Sequence, residues 1–313
     1  MSGFILRRIL ASIPVLLVVA VAVFMLLRLT PGDPASVIAG DNATVEQLAR
    51  IRDQLGLDKP FHRQFAEWIL RLLEGDFGTS IISGTPVMRL IADRIEPTLS
   101  LALSTITLSV LIAVPLGALA AARQGSLLDR TVIALCIIGF SVPVFVIAYG
   151  LIQIFAVQLR WLPVQGFRSI SLGIWPFAER LIMPTLALTF LYMALIARMT
   201  RTSVLEVLGE DFVRTARAKG ITEAAVFLRH ALRNAAVPIV TIIGIGFALL
   251  ISGVVVTESV FNLPGIGRLT IDAVLARDYP VVQAVILLSS LLYVVINLAI
   301  DVIYVALDPR IRY

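Results

Sequence analysis

Charge is scarce in this 313-residue chain: Asp, Glu, Lys and Arg make up 15% of it, where a soluble protein carries about 25%. Lysine is rarer still, with only Lys59 and Lys219, and histidine is confined to His62 and His230. Cysteine occurs once, at Cys136 inside an apolar run. That excludes a disulfide within the chain and a cysteine-built metal cage, and the thiol reads as packed filler rather than a reactive group. No G-x-x-x-x-G-K-[ST] run is present, so the chain does not hydrolyse ATP through a phosphate-binding loop. H-E-x-x-H and G-x-S-x-G are absent as well, which excludes two common hydrolase constellations, and no cofactor or metal is expected. Proton- and ion-coupled carriers keep carboxylates or histidines inside their helices. Here Glu258 and Asp301 stand near run ends and both histidines fall between runs, so a proton relay is poorly supplied.

Apolar residues are what the chain has in excess: 58% hydrophobic and a mean hydropathy of +0.95. The net charge of +5 and pI near 9.8 come almost entirely from arginines scattered between apolar segments. That pattern fits membrane topology and lipid contact better than a nucleic-acid partner. A spanning helix needs about 20 mainly apolar residues. Six stretches qualify: Ile9–Leu29, Thr98–Ala122, Thr131–Val157, Leu181–Met199, Ala235–Thr257 and Val281–Leu307. Charges inside them are Arg28, Arg198 and Asp301, each close to an end. Backbone groups in hydrocarbon must be satisfied within the segment, so these runs are predicted to be helices, and the fold class is an all-α polytopic membrane protein. Pro14, Pro115, Pro143, Pro184 and Pro238 fall within the runs and are expected to kink them. No cluster of polar side chains in the six runs announces a solute pocket.

The first run, preceded by Arg7 and Arg8, resembles a signal peptide. It is longer than the 7–15 apolar residues of one and lacks a small-residue cleavage pattern, so a retained helix is expected. Arginine placement sets the orientation. With the N-terminus inside, the inner segments hold Arg7, Arg8, Arg123, Arg130, Arg201, Arg214, Arg217, Lys219, Arg229, Arg233, Arg310 and Arg312. The short outer loops hold fewer: Arg160, Arg168, Arg180, Arg268 and Arg277. Both termini are therefore expected inside.

The domains expected are an N-terminal transmembrane helix (1–30), an outer loop (31–96), a five-helix body (97–307) with an inner loop at 200–234, and a short inner tail (308–313). In the outer loop, Thr44 and Gln47 form a capping-box pattern, and Val45, Leu48, Ile51 and Leu55 give a helical stripe ending at Gly56. Pro60 opens a second amphipathic piece, with Phe61, Phe65, Ile69 and Leu72 on one side and Gly75 as its stop. Surface helices on the outer rim and a partner-receiving role are both open. In the inner loop, Val204, Leu205, Leu208, Phe212 and Ala216 fall at helical spacing opposite Glu206, Glu210, Arg214 and Arg217. Glu210 precedes Arg214 by four residues, the favourable ion-pair order, and Gly220 suits the left-handed stop. A second short helix is predicted from Thr222. Two amphipathic helices joined at a glycine make either a knob for another protein or an interfacial pair on lipid headgroups.

Four passages resemble the membrane-spanning subunit of ATP-binding-cassette importers of the dipeptide/oligopeptide branch. They are RLTPGDPA (28–35); LGLDKPF (55–61) with GDFGTS (75–80); DFVRTARAKGITEAAVFLRHALRNAAVPIVT (211–241); and VVVTESVFNLPGIGRL (254–269) with RDYPVVQA (277–284). The resemblance covers essentially the whole chain. It implies a type I importer transmembrane fold with six spanning helices in the bacterial inner membrane. It also implies a heterodimer with a second homologous permease, one or two kinds of cytoplasmic ATPase subunit, and an extracytoplasmic substrate-binding protein. The inner loop would then be the element that couples to the ATPase: Asp211, Arg214, Thr215, Ala216, Arg217, Lys219 and Gly220. The wider family writes Glu-Ala-Ala, three residues, then glycine. Here Arg214, Thr215 and Ala216 stand before Gly220, keeping the glycine and one alanine. Arg214, Arg217 and Lys219 would pair with carboxylates on the ATPase groove, and Ala216 would allow close approach. Glu258, Phe261, Pro264 and Gly265 would form an outer gate, with an ordinary interfacial loop as the alternative. Small peptides are the leading solute; nickel chelates, glutathione, opines and antimicrobial peptides belong to the same branch. A stand-alone secondary carrier and a membrane scaffold are the rivals from other classes.

Overall fold

The computed structural model describes residues 2–29, 44–46, 49, 52 and 59–307. Gln47, Leu48, Ile51, Leu55 and Gly56 of the first outer-loop stripe, most of the first resemblance passage and the tail from 308 lie outside these residues. Among the described residues the only pairing of strand type is an isolated bridge between Thr79 and Pro86; everything else regular is helical. The helices are α1 (Ser2–Leu29), α2 (Phe61–Leu73), α3 (Val87–Ala122), α4 (Leu127–Ser141), α5 (Val144–Leu151), α6 (Ile174–Leu208), α7 (Asp211–Ala218), α8 (Glu223–Asn234), α9 (Ala236–Ile251), α10 (Val255–Val260), α11 (Ile266–Leu275) and α12 (Tyr279–Leu307). α1, α3, α6 and α12 are long and apolar enough to cross a bilayer alone. Two bent pairs bring the number to six when each is counted as one span: α4 with the stretch Val144–Gln158, bent by 96°, and α8 with α9, bent by 52°.

Proline acts unevenly on these helices. Pro14, Pro115 and Pro184 sit inside continuous α1, α3 and α6. Pro143 breaks its span: Val142 is extended at φ −90° and ψ 119°, the conformation imposed on a residue before proline. After the break α5 widens into a π-turn over Ile152–Gln158. The fifth run was predicted to continue to Thr257, but α9 stops at Ile251, because Gly253 turns the chain at φ +104°. α3 and α6 extend well beyond the predicted apolar runs, starting at Val87 and Ile174 respectively.

The chain divides into two compact units, residues 1–95 with 266–294, and residues 96–265 with 295–313. The first holds a core of Val87 and Ile91 against Leu269, Ala273, Val281, Ala284 and Val285. α2 packs its predicted face on α1, with Phe24 edge-on to Phe61 and Phe65 at 5.2 and 5.1 Å between ring centroids. Trp68, which the predicted stripe omitted, lies 5.3 Å from the same ring. α2 stops at Glu74, and Gly75 follows at φ +84°. The GDFGTS and RDYPVVQA passages meet here: buried Asp278 accepts hydrogen bonds from the Ser80 hydroxyl and from the Ile81 amide, the latter at 3.1 Å.

In the second unit α6 is the central helix, and polar ties fix its neighbours. Ser104 of α3 hydrogen-bonds Thr185 of α6 at 2.8 Å. Asp129, in the first turn of α4, accepts from Arg201 of α6 through both carboxylate oxygens, at 2.5 and 2.8 Å. Thr241 of α9 meets Tyr304 of α12 at 2.5 Å.

Candidate functional site

The loop at 200–234 contains an elbow of two helices, and its stop signal is built as the sequence indicates. α7 ends at Lys219, and Gly220 takes φ +78°. The Gly220 amide donates to the Arg217 carbonyl at 2.9 Å and the Ile221 amide to the Ala216 carbonyl at 3.3 Å. These are the two bonds of a Schellman ending, and the usual apolar contact is present too, since Ile221 packs on the cluster that contains Ala216. A Cβ on Gly220 would meet no atom within 4 Å, so glycine is required by backbone angle and not by space.

The faces of α7 differ from the predicted ones. The stripe through Leu208, Phe212 and Ala216 assumed one continuous helix, but α6 ends at Leu208 and α7 begins anew at Asp211. The break shifts the phase. Val213 and Ala216 are buried against Val226, whereas Phe212 is exposed. Ala216 therefore serves internal packing, and its small side chain lets α7 lie close on α8. The predicted Glu210–Arg214 pair is also replaced. Glu210 precedes α7 in an extended conformation, and Arg214 bonds Asp211 at 3.3 Å instead. Arg217 grips Glu223 of α8 through two bonds, at 2.9 and 3.2 Å, bridging the turn. Asp211, Phe212, Arg214, Thr215, Arg217, Lys219 and Gly220 all remain exposed. The second helix was predicted from Thr222 and begins at Glu223, widening into a π-turn over Val226–Ala231.

The elbow hangs from the end of α6, whose approach is anchored by the Arg201–Asp129 pair. Asp129 is 3% exposed at its side chain and Arg201 20%, so the pair is shielded enough that losing one partner strands the other. Local pattern reveals half of it, because Ser126 caps α4 by accepting from the Asp129 amide. Its arginine partner stands 72 residues away, out of reach of any local signal.

The residues named as an outer gate from the sequence lie in one turn, with Glu258 and Phe261 buried inside the protein. Glu258 and Phe261 are each 1% exposed. The Phe261 amide bonds the Thr257 carbonyl at 3.1 Å, the Leu263 amide bonds the Glu258 carbonyl at 2.8 Å, and Asn262 adopts φ +51°. Thr98 donates to the Glu258 carboxylate at 3.3 Å. A Cβ on Gly265 would overlap that carboxylate, so any side chain there requires Glu258 to move. Sequence reasoning missed the clamp over this turn. The Gly166 amide donates to the Phe261 carbonyl at 2.8 Å, Gln165 to the Val260 carbonyl at 3.2 Å, and Arg180 holds the Gln165 carbonyl at 2.6 Å.

Six apolar spans interrupted by an exposed basic elbow and a buried turn define a membrane transport component. Residues 113–313 match the family described as binding-protein-dependent transport system inner membrane component, and residues 1–102 match the N-terminal family of the same membrane components. The chain belongs to this family of inner-membrane transport permeases, and the resemblance read from its motifs is borne out. It is 53% identical over 313 residues, all of both chains, to the probable peptide ABC transporter permease protein y4tP of Sinorhizobium fredii (strain NBRC 101917 / NGR234). Over the same full lengths it is 46% identical to the glutathione transport system permease protein GsiC of Salmonella choleraesuis (strain SC-B67), and 44% identical to that of Escherichia coli (strain K12). An inward-facing structure of the MetNI methionine ABC transporter shares the fold, with a TM-score of 0.57 over 71% of this chain and 97% of that one, at 22% identity.

Proposed function

We propose that this chain is the permease subunit of an ATP-driven importer of small peptides, with glutathione as the alternative solute that its relatives suggest. The observation that carries the coupling part of this reading is the elbow. Its Schellman turn at Gly220 is held by internal contacts, while Asp211, Arg214, Thr215, Arg217 and Lys219 stay exposed on the outside. A structure rigid within and polar without is what an ATPase groove can push upon. ATP hydrolysis belongs to the partner subunit, and the permease works as a heterodimer with a homologous second chain, receiving solute from an extracytoplasmic binding protein. Both termini face the cytoplasm, residues 97–307 form the transmembrane body, residues 31–96 form the outer loop, and the buried turn at Glu258–Gly265 acts as the outer gate. Alternating access by rocking of the two halves moves the solute.

Co-purification tests the assembly: the affinity-tagged chain expressed with its neighbouring transport subunits should bring down an ATPase and a second permease. In vesicles, Gly220→Val should leave the chain inserted and the complex ATP-hydrolysing while uptake fails. Normal uptake by that variant, or accumulation of solute against a gradient by this chain alone, would refute the coupling reading.

A further inference from the structure

Arg198 lies within spanning helix α6, behind seventeen uncharged residues (181–197), and is exposed on the surface of the chain. Its guanidinium carbon sits 5.0 Å from the centre of the Phe140 ring, which is also exposed. The level of this contact follows from the neighbouring helix. α4 and α6 run antiparallel, with Asp129 beside Arg201 and Gly139 beside Phe190 and Ala194. Phe140 lies eleven residues along α4 from Asp129, about 16 Å at the helical rise. Side chains on a helix lean toward its N-terminus, and Arg198 does so, reaching toward Phe140 and away from the end of α6 that carries Arg201. It does not extend toward the Arg201 end of α6, as an arginine snorkelling to that end would. A guanidinium held beside the apolar stretch of α4 suits a water-filled space or protein better than acyl chains.

A second observation falls at the same level. α4 stops at Ser141, Pro143 has no N–H to give the Gly139 carbonyl, and the chain bends by 96°. Non-helical backbone is tolerated at membrane depth only where it is buried in protein or lines a cavity. Phe140, Ser141 and Pro143 are all exposed on this chain, so the broken span and the arginine share a surface that lipid does not suit. We propose that Arg198, Phe140 and the break at Ser141–Pro143 line the solute path, and that Arg198 receives a carboxylate of the passing solute. Five N–H donors in a planar fork match a carboxylate, the group that peptides and glutathione have in common. This deepens the importer reading and rests on it for the nature of the solute.

Two arms test it on the assembled importer in vesicles of phosphatidylethanolamine and phosphatidylglycerol. Cys136→Ala removes the chain's only thiol, and Arg198→Cys then provides a reporter at the site. An impermeant anionic methanethiosulfonate, read by the mass of this chain, should modify it at least about tenfold faster than Val18→Cys in the same background, as a water-lined wall requires. No reaction at position 198 places the residue against lipid or the second permease and overturns the proposal. In the other arm, Arg198→Gln should lower Ala-Ala uptake about tenfold while uptake of Ala-Ala amide changes less than about twofold. Arg198→Lys should recover part of the loss. Equal loss for both compounds, or none, overturns the carboxylate role. If the wild-type importer moves no Ala-Ala although the thiol reacts, the peptide assignment falls and the water-lined wall stands; glutathione uptake then decides the carboxylate role, which is overturned if Arg198→Gln leaves that uptake unchanged.

Discussion

The elbow around Gly220 and the turn from Glu258 to Gly265 each reverse the chain within a few residues, and they are built in opposite ways. The elbow has a thin core of Val213, Ala216 and Val226 and an outer face of exposed polar side chains. The turn has Glu258 and Phe261 fully buried and its carbonyls held by a loop 95 residues earlier in sequence. The elbow is held by its small apolar cluster and the two bonds of its turn, with polar side chains facing outward. The turn is a knot, and moving it means moving the loop at Gln165–Gly166 with it. Their glycines make the same distinction: Gly220 is fixed by its φ, Gly265 by the carboxylate beside it.

The comparison can be broken at several points. Asp129→Ala should cost the most, about 3–5 kcal/mol, because it strands a half-shielded guanidinium at the helix that leads into the elbow. Thermal melting of the detergent-purified complex measures this, and Asp129→Ala combined with Arg201→Leu should recover much of the loss. Gly265→Ala should follow at about 1–3 kcal/mol, since its methyl group must displace the buried Glu258 carboxylate. The readout is the yield of folded importer, and a yield equal to wild type would show that the turn is looser than its burial implies. Gly220→Val should cost about 1–3 kcal/mol of local strain, with Gly220→Asn close to wild type because asparagine tolerates the left-handed region. Uptake per ATP hydrolysed separates these two, and equal coupling in both would remove the elbow's special status.

Arg217→Ala should change stability by less than about 1 kcal/mol, because the pair with Glu223 is well exposed. Its effect belongs on ATPase affinity instead, measured by subunit titration. The smallest effect is expected at α2. The Lys59 ammonium, 2.8 Å from both oxygens of Glu67, holds that carboxyl below its ordinary range. A lowered folded-state value means that the contribution is present above the unfolded-state pKa and fades as pH falls through the folded one. Lys59→Ala should raise the Glu67 value toward normal, observable by carboxyl NMR on labelled protein.

Much of this was legible in the sequence because long-range packing does not enter it. Mean hydropathy and run length located six spans, Pro60 and Gly75 bounded α2, and Gly220 announced the end of α7. Legibility failed wherever an outcome depended on how one helix ends relative to the next. The break between Leu208 and Asp211 carries no strong local signal, yet it rotates Phe212 out and Val213 in. Pro14 and Pro143 look alike in their runs, but only Pro143 sits where the chain turns by 96°. Polar side chains inside the runs form no cluster in sequence; the meeting of Arg198 with Phe140 needed α4 and α6 side by side.

Composition by itself determined that this chain belongs in a bilayer, because apolar content needs no coordinates to act. The tertiary structure alone decided which face of α7 is offered outward, that Glu258 closes under Gly265, and that Asp129 answers Arg201. Each of these is a contact between side chains distant in sequence or phase, and its energy exists only once burial has removed the competing water.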